Sequence, residues 1–148
     1  MHSFADEEQY KHAFLGAPFG MLIVNSDGII ESANKQAGMI FDYKQEQLIG
    51  KNVDSLVPKR LRQAHQTHRD RYNQNMEKKL MGNGRYLYGL KRDGEELPIE
   101  IGLNPIEHSS GVKIIVSITD ISKLVAAQEQ LIEQHERAVV TLSSIGDG

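Results

Sequence analysis

The sequence predicts an α+β fold: antiparallel strands near both ends of the chain, a helical middle, and an amphipathic helix after the last strand. Three observations predict it. Between Tyr86 and Asp120 apolar and polar residues alternate in three runs separated by turn residues. Two further short apolar runs, Met21 to Val24 and Ile29 to Ser32, flank the turn-forming Ser26-Asp27-Gly28. From Asn34 to about Asn75 the spacing is helical rather than alternating.

Taken in order, Ala5 to Ala17 places Tyr10, Ala13, Phe14 and Ala17 on one helical face, with Asp6, Glu7 and Glu8 where the helix dipole favours acid. Gly16 and Pro18 end it, and the first hairpin follows. Asn34 to Phe41 and Tyr43 to Leu48 read as short helices, broken by Gly50. Pro58 to about Asn75 reads as a longer helix with Pro58 near its first position and Asp54 or Ser55 near enough to cap it. Its expected inward line is Leu61, His65, His68 and Tyr72.

The Asp93-Gly94 pair marks a tight hairpin. Taken as a two-residue loop, it sets Leu90 opposite Leu97, Tyr88 opposite Ile99 and Tyr86 opposite Ile101, all facing a core. After a turn over Glu107 to Gly111, Val112, Ile114, Val116 and Ile118 continue the alternation up to Asp120, which stands between strand and helix. Beyond it Ile121, Leu124, Gln128, Leu131, His135, Ala138 and Leu142 recur with 4-3 spacing. So thin a seam is poorly stable alone, so a parallel two-stranded coiled coil is expected, the alternative being a helix folded back on its own sheet. The expected boundaries are an N-terminal cap helix at 1–17, a core at 18–121, a linker helix at 122–142 and the start of a following domain at 143–148.

The chain has 148 residues, a net charge of -3 and no cysteine. That length suits one domain with appended elements. The missing cysteines remove disulfides, thiolate catalysis and thiolate metal sites. Neither an apolar run of roughly 20 residues nor a signal-peptide pattern is present, so the expectation is a cytoplasmic segment without membrane contact, in a parent protein free to carry membrane spans elsewhere. The basic residues Lys59, Arg60, Arg62, Arg69 and Arg71 are spread around their helix with no aromatic platform, which speaks against nucleic acid.

From Phe14 to Leu124 the chain resembles a PAS sensor domain. The resemblance is carried by Gly20 to Gly28, Asn34, Phe41-Asp42-Tyr43, Glu46 to Lys51, Leu56-Val57-Pro58, Lys91 to Glu95, Pro98 to Ile101 and Asp120-Ile121-Ser122, in that order. It implies a five-stranded antiparallel sheet in strand order 2-1-5-4-3, helices on one face enclosing a cavity, and a sensory or dimerising role in a larger signalling protein. Val139 to Gly148 resembles the beginning of a second such domain, and tandem arrangements of this kind resemble sensor histidine kinases of phosphorelays and enzymes that make or break cyclic di-GMP.

Several residues become candidates on this basis. Ile40, Tyr88, Ile99, Ile101, Ile114 and Val116 are the expected cavity wall. Asp120 and Ile121 are the expected signal relay, and Tyr10, Phe14, Leu124 and Leu131 the expected homodimer seam. No catalytic residue and no metal set is expected, and none of this requires a cofactor, although a small-molecule ligand is open. In the haem-binding oxygen-sensor PAS kinases a histidine on the long helix holds iron and an arginine after a Gly-rich stretch contacts ligand; His65 and Arg85 stand at similar places, which keeps haem open. Blue-light flavin chemistry of the PAS type needs a cysteine that is missing here. The leading expectation is a dimeric sensory module that relays through its C-terminal helix to an output enzyme. The alternatives are a haem gas or redox sensor and a ligand-free dimeriser of a cyclic di-GMP enzyme.

Overall fold

The computed structural model describes residues 11–74, 79–80, 87–109 and 111–146. Its strands are β1 (Gly20–Val24), β2 (Ile30–Ala33), β3 (Lys79–Leu80), β4 (Leu87–Leu90), β5 (Glu96–His108) and β6 (Gly111–Asp120). All pairings are antiparallel, in the order β2-β1-β6-β5, and both β3 and β4 lie on the edge of β5 that β6 leaves open. Leu80 pairs with Gly102 and Leu87 with Ile99, so these two segments run in one direction along one edge and form a single interrupted strand. Counted so, the sheet is the five-stranded 2-1-5-4-3 arrangement.

The helices are α1, described over residues 11–15, α2 (Lys35–Phe41), α3 (Gln45–Leu48), α4 (Arg62–Gln74) and α5 (Ser122–Gly146). Two 3-10 turns, Val53–Leu56 and Lys59–Leu61, lead into α4. The alternation of β6 buries Ile114, Val116 and Ile118, which join Leu22 and Val24 of β1, Leu97 and Ile99 of β5, and Phe41, Leu48, Leu56 and Tyr72 from the helical side in one core. Burial of this continuous apolar surface is what holds the helices against the sheet.

The hairpin register differs by one residue from the expected one. Gly94 N–H donates to Lys91 O (3.0 Å), Lys91 N–H donates to Glu95 O (2.8 Å), and Gly94 has φ 91°, so the loop has three residues, Arg92 to Gly94, ending in a left-handed glycine. Leu87 therefore faces Ile99, Tyr88 faces Pro98, Gly89 faces Leu97 and Leu90 faces Glu96. Gly89, not Tyr88, points inward, and a Cβ there would lie 2.8 Å from Cε1 of Phe41. The absence of a side chain at 89 is what admits the Phe41 ring.

Other boundaries shift as well. β5 extends to His108 and β6 begins at Gly111, shortening the expected turn, and α5 runs to Gly146, past the expected end at 142. The expected inward line of α4 is also corrected. His68 is exposed and Leu61 is 37% exposed, and Arg62, His65, Arg69 and Tyr72 are the residues turned towards the body. The periodicity rule looks for aliphatics, whereas this face is held by polar bonds.

Candidate functional site

The joint between sheet and C-terminal helix is built from backbone and one carboxylate. Asp120 closes β6 opposite Ile99, and its Oδ1 accepts from Ser122 N–H (2.9 Å) and Ser122 Oγ–H (2.5 Å), capping the first turn of α5. Ile121 N–H donates to Pro98 O of β5 (3.1 Å), and Val125 N–H donates to Ile121 O (2.9 Å). Val125 is 7% exposed yet stands outside the main core, so the first turn of α5 is anchored locally. Beyond it residues 126–137 are exposed, including Leu131 (65%) and Ile132, so α5 leaves the sheet instead of folding back on it.

At the other end Asn34 ties three elements together. Fully buried, it caps α2 by accepting from Ala37 N–H (2.9 Å), and its Oδ1 also accepts from Met21 N–H at the start of β1 (2.9 Å). Its Nδ2 donates to Phe14 O (3.0 Å) and Phe19 O (2.9 Å), which fastens the end of α1 to the core. Every hydrogen-bonding position of that side chain is used, as a buried amide requires.

A polar cluster fixes α4. The Asp54 carboxylate is bonded by His65 Nδ1 (2.6 Å) and accepts from Arg69 Nη1 (2.9 Å), and Arg69 Nη1 also donates to Asn52 Oδ1 (3.2 Å). The guanidinium lies over Gly28, where an added Cβ would approach it to 2.2 Å, and Asn73 Nδ2 donates to Ser26 O (3.0 Å). One turn earlier Arg60 pairs with Glu96 of β5; its hydrogen bond holds the Glu96 carboxyl below the ordinary value of 4.5. Among the described residues no group of three or more His, Cys, Asp or Glu side chains is arranged to hold a metal, and no helix is long and apolar enough to cross a membrane.

Order of elements, sheet topology and the strand-to-helix joint agree with the sequence pattern described as PAS domain, which matches residues 18–123. The chain belongs to the PAS domain family. Among curated relatives it is 26% identical over 132 residues to sensor protein FixL of Bradyrhizobium diazoefficiens, covering 88% of this chain and 26% of that protein. It is 27% identical over 111 residues to oxygen sensor protein DosP of Escherichia coli, covering 75% of this chain and 14% of that protein. The chain thus spans about a quarter and about a seventh of the length of these relatives. A solved PAS domain from Colwellia psychrerythraea superposes with a TM-score of 0.69 at 23% identity, over 79% of this chain and 98% of that one.

Within this PAS domain the expected cavity residues Ile40, Ile99, Ile114 and Val116 come together in the core, with Ile101 partly buried against them. Tyr88 is a correction: the register places it on the opposite face from Gly89, 37% exposed and paired with Pro98. Two surface clefts lie elsewhere. One, of about 670 Å3, runs between α2, α3 and Arg92, and the other is lined by Ser26, Asp27, Val112 and Lys113. Asp120 and Ile121 stand at the joint; Arg92, in the loop between β4 and β5, pairs with Asp42 at the end of α2 (3.7 Å). Phe14 is half-buried and Leu124 and Leu131 are exposed, whereas Tyr10 and Arg85 lie outside the described residues. The pairing of Asp54 with His65 and Arg69 escaped the sequence reading. A carboxylate eleven residues before a histidine is a signal only once the 3-10 turn brings the two together.

Proposed function

We propose that this PAS domain is a sensory, dimeric regulatory module that relays through α5 to an output domain such as a histidine kinase, with catalysis residing in that output domain and not in this segment. The observation that carries the reading is the joint: Asp120 caps α5, and Ile121 N–H is bonded to Pro98 O, so the helix begins at the end of the central strand β6 and is tied to its neighbour β5. A ligand or partner acts through such a joint only by favouring one of two arrangements of sheet and helix over the other. The sensory names of FixL and DosP support the same direction. Asp120→Ala in the full-length protein is expected to leave the domain folded and to uncouple input from output. Output that still responds normally overturns the relay.

A second reading, haem binding, is favoured by one contact. With Asp54 bonded at Nδ1 of His65, Nε2 is the ring nitrogen left to face a metal, the arrangement that carboxylate-supported metal-binding histidines share. Iron held by His65 would supply a site for a diatomic gas. The donor fits, but the described core side chains pack against one another, so a porphyrin enters only by displacing them. Protein purified with haem supplied is expected, on this reading, to show a Soret band that His65→Ala abolishes; its absence in the unmutated protein rejects the reading.

A further inference from the structure

We propose that the exposed face of α5 receives a second copy of α5 in parallel register, and that His135 makes this association sensitive to acid. The inference rests on the dimeric relay proposed above and adds a regulation of its contact. Lettering the 4-3 seam as a heptad with Ile121 at a puts Leu124 and Leu131 at d, and Gln128 and His135 at a. Val125 and Ile132 then fall at e, and Ala127 and Gln134 at g. The five Lys, Arg, Asp or Glu residues of the helix, Lys123, Glu129, Glu133, Glu136 and Arg137, all fall at b, c or f.

This partition selects the occupant. Two copies meeting on the a, d, e and g positions bury Leu131 and Ile132, both exposed in the single chain, without burying any permanently charged group. The parallel in-register arrangement sets the two polar a positions level, Gln128 against Gln128 and His135 against His135, whereas a shift of one heptad sets Gln128 against His135 and leaves the other Gln128 against Ile121. The charges stay outside, where Glu133 pairs with Arg137 (2.7 Å) along the outer face.

The same partition leaves His135 without a counter-ion in the seam. The groups around it are the partner's His135, Leu131 and Ile132 one turn before, and Gln134 beside it. The nearest acids, Glu133 and Glu136, lie at f and b. An imidazole in water takes up its proton near pH 6.5, and two imidazolium rings brought face to face among apolar side chains repel and lose hydration. Protonation and association therefore compete. Each histidine that must give up its proton to associate weakens association by at most about tenfold per pH unit, and the pair by at most about a hundredfold.

Sedimentation equilibrium of the full chain at about pH 7.5 and about pH 5.5, beside His135→Gln and Leu131→Glu, tests this. The expected result is a dimer whose dissociation constant rises tenfold to a hundredfold in acid. His135→Gln keeps the dimer at both pH values, and Leu131→Glu is monomeric. A wild-type dimer equally strong at both pH values, or an equal acid loss in His135→Gln, overturns the role of His135. A dimer that survives Leu131→Glu overturns the seam, and a monomer under all conditions overturns the dimeric reading beneath it.

Discussion

Asn34 concentrates more structure than any other buried polar side chain described. Its amide satisfies two N–H groups and two carbonyls drawn from positions 14, 19, 21 and 37. Asn34→Ala removes a helix cap, worth about 1 kcal/mol, and leaves three partly buried backbone groups short of a partner, each at up to about 1–3 kcal/mol before relaxation. The expected loss of unfolding free energy is about 3–4 kcal/mol in a urea titration, and a loss below about 1 kcal/mol contradicts this account of the residue. The role of Asn34 as the cap was not assigned from the sequence, although the start of a helical run there was legible. The bonds to Phe14 and Phe19 were not, since they depend on α1 and β1 meeting over the start of α2. Gly89 was illegible for another reason: a residue without a side chain contributes nothing to an alternating pattern, so the pattern settled on Tyr88 and slipped by one.

Elements were legible where apolar period decides them. β1, β2, β5, β6 and α2 fall where alternation or helical spacing puts them, with ends displaced by a few residues. α4 was legible in its extent but not in its orientation, because its contact with the body is made by Arg62 bonding the Val57 carbonyl and by His65 and Arg69 bonding Asp54. The pairing of Arg60 with Glu96 fastens the turn before α4 to β5 and carries a pH signature. Because the Glu96 carboxyl is held below 4.5 in the folded chain, its contribution is present above that value and is lost as the pH falls through the lowered one. Both groups are exposed, so the effect is small and screened by salt. Glu96→Gln is expected to lower the thermal midpoint slightly at neutral pH and to match the wild type well below pH 4.5. A difference that persists unchanged in strong acid contradicts the pairing as its source.

On the scale of the whole molecule, the topology was legible because many weak landmarks occur in one order, and each constrains the next. What could not be read was how the interior is filled. Ile40, Ile99, Ile114 and Val116 were expected around a cavity and pack in the core with Phe41 and Leu22. A ligand that enters must move them, and the sheet to which Ile99, Ile114 and Val116 belong carries α5 directly. The relay account therefore requires β5, β6 and the first turn of α5 to behave as one cooperative unit. Amide hydrogen exchange measures this most directly. The account predicts that the Ile121 and Val125 amides are protected to the same degree as those of Ile114 and Val116 in β6, and that Asp120→Ala lowers protection at the start of α5 while leaving β6 protected. Ile121 and Val125 amides that exchange at the rate of free peptide in the intact protein, beside a protected β6, would contradict it.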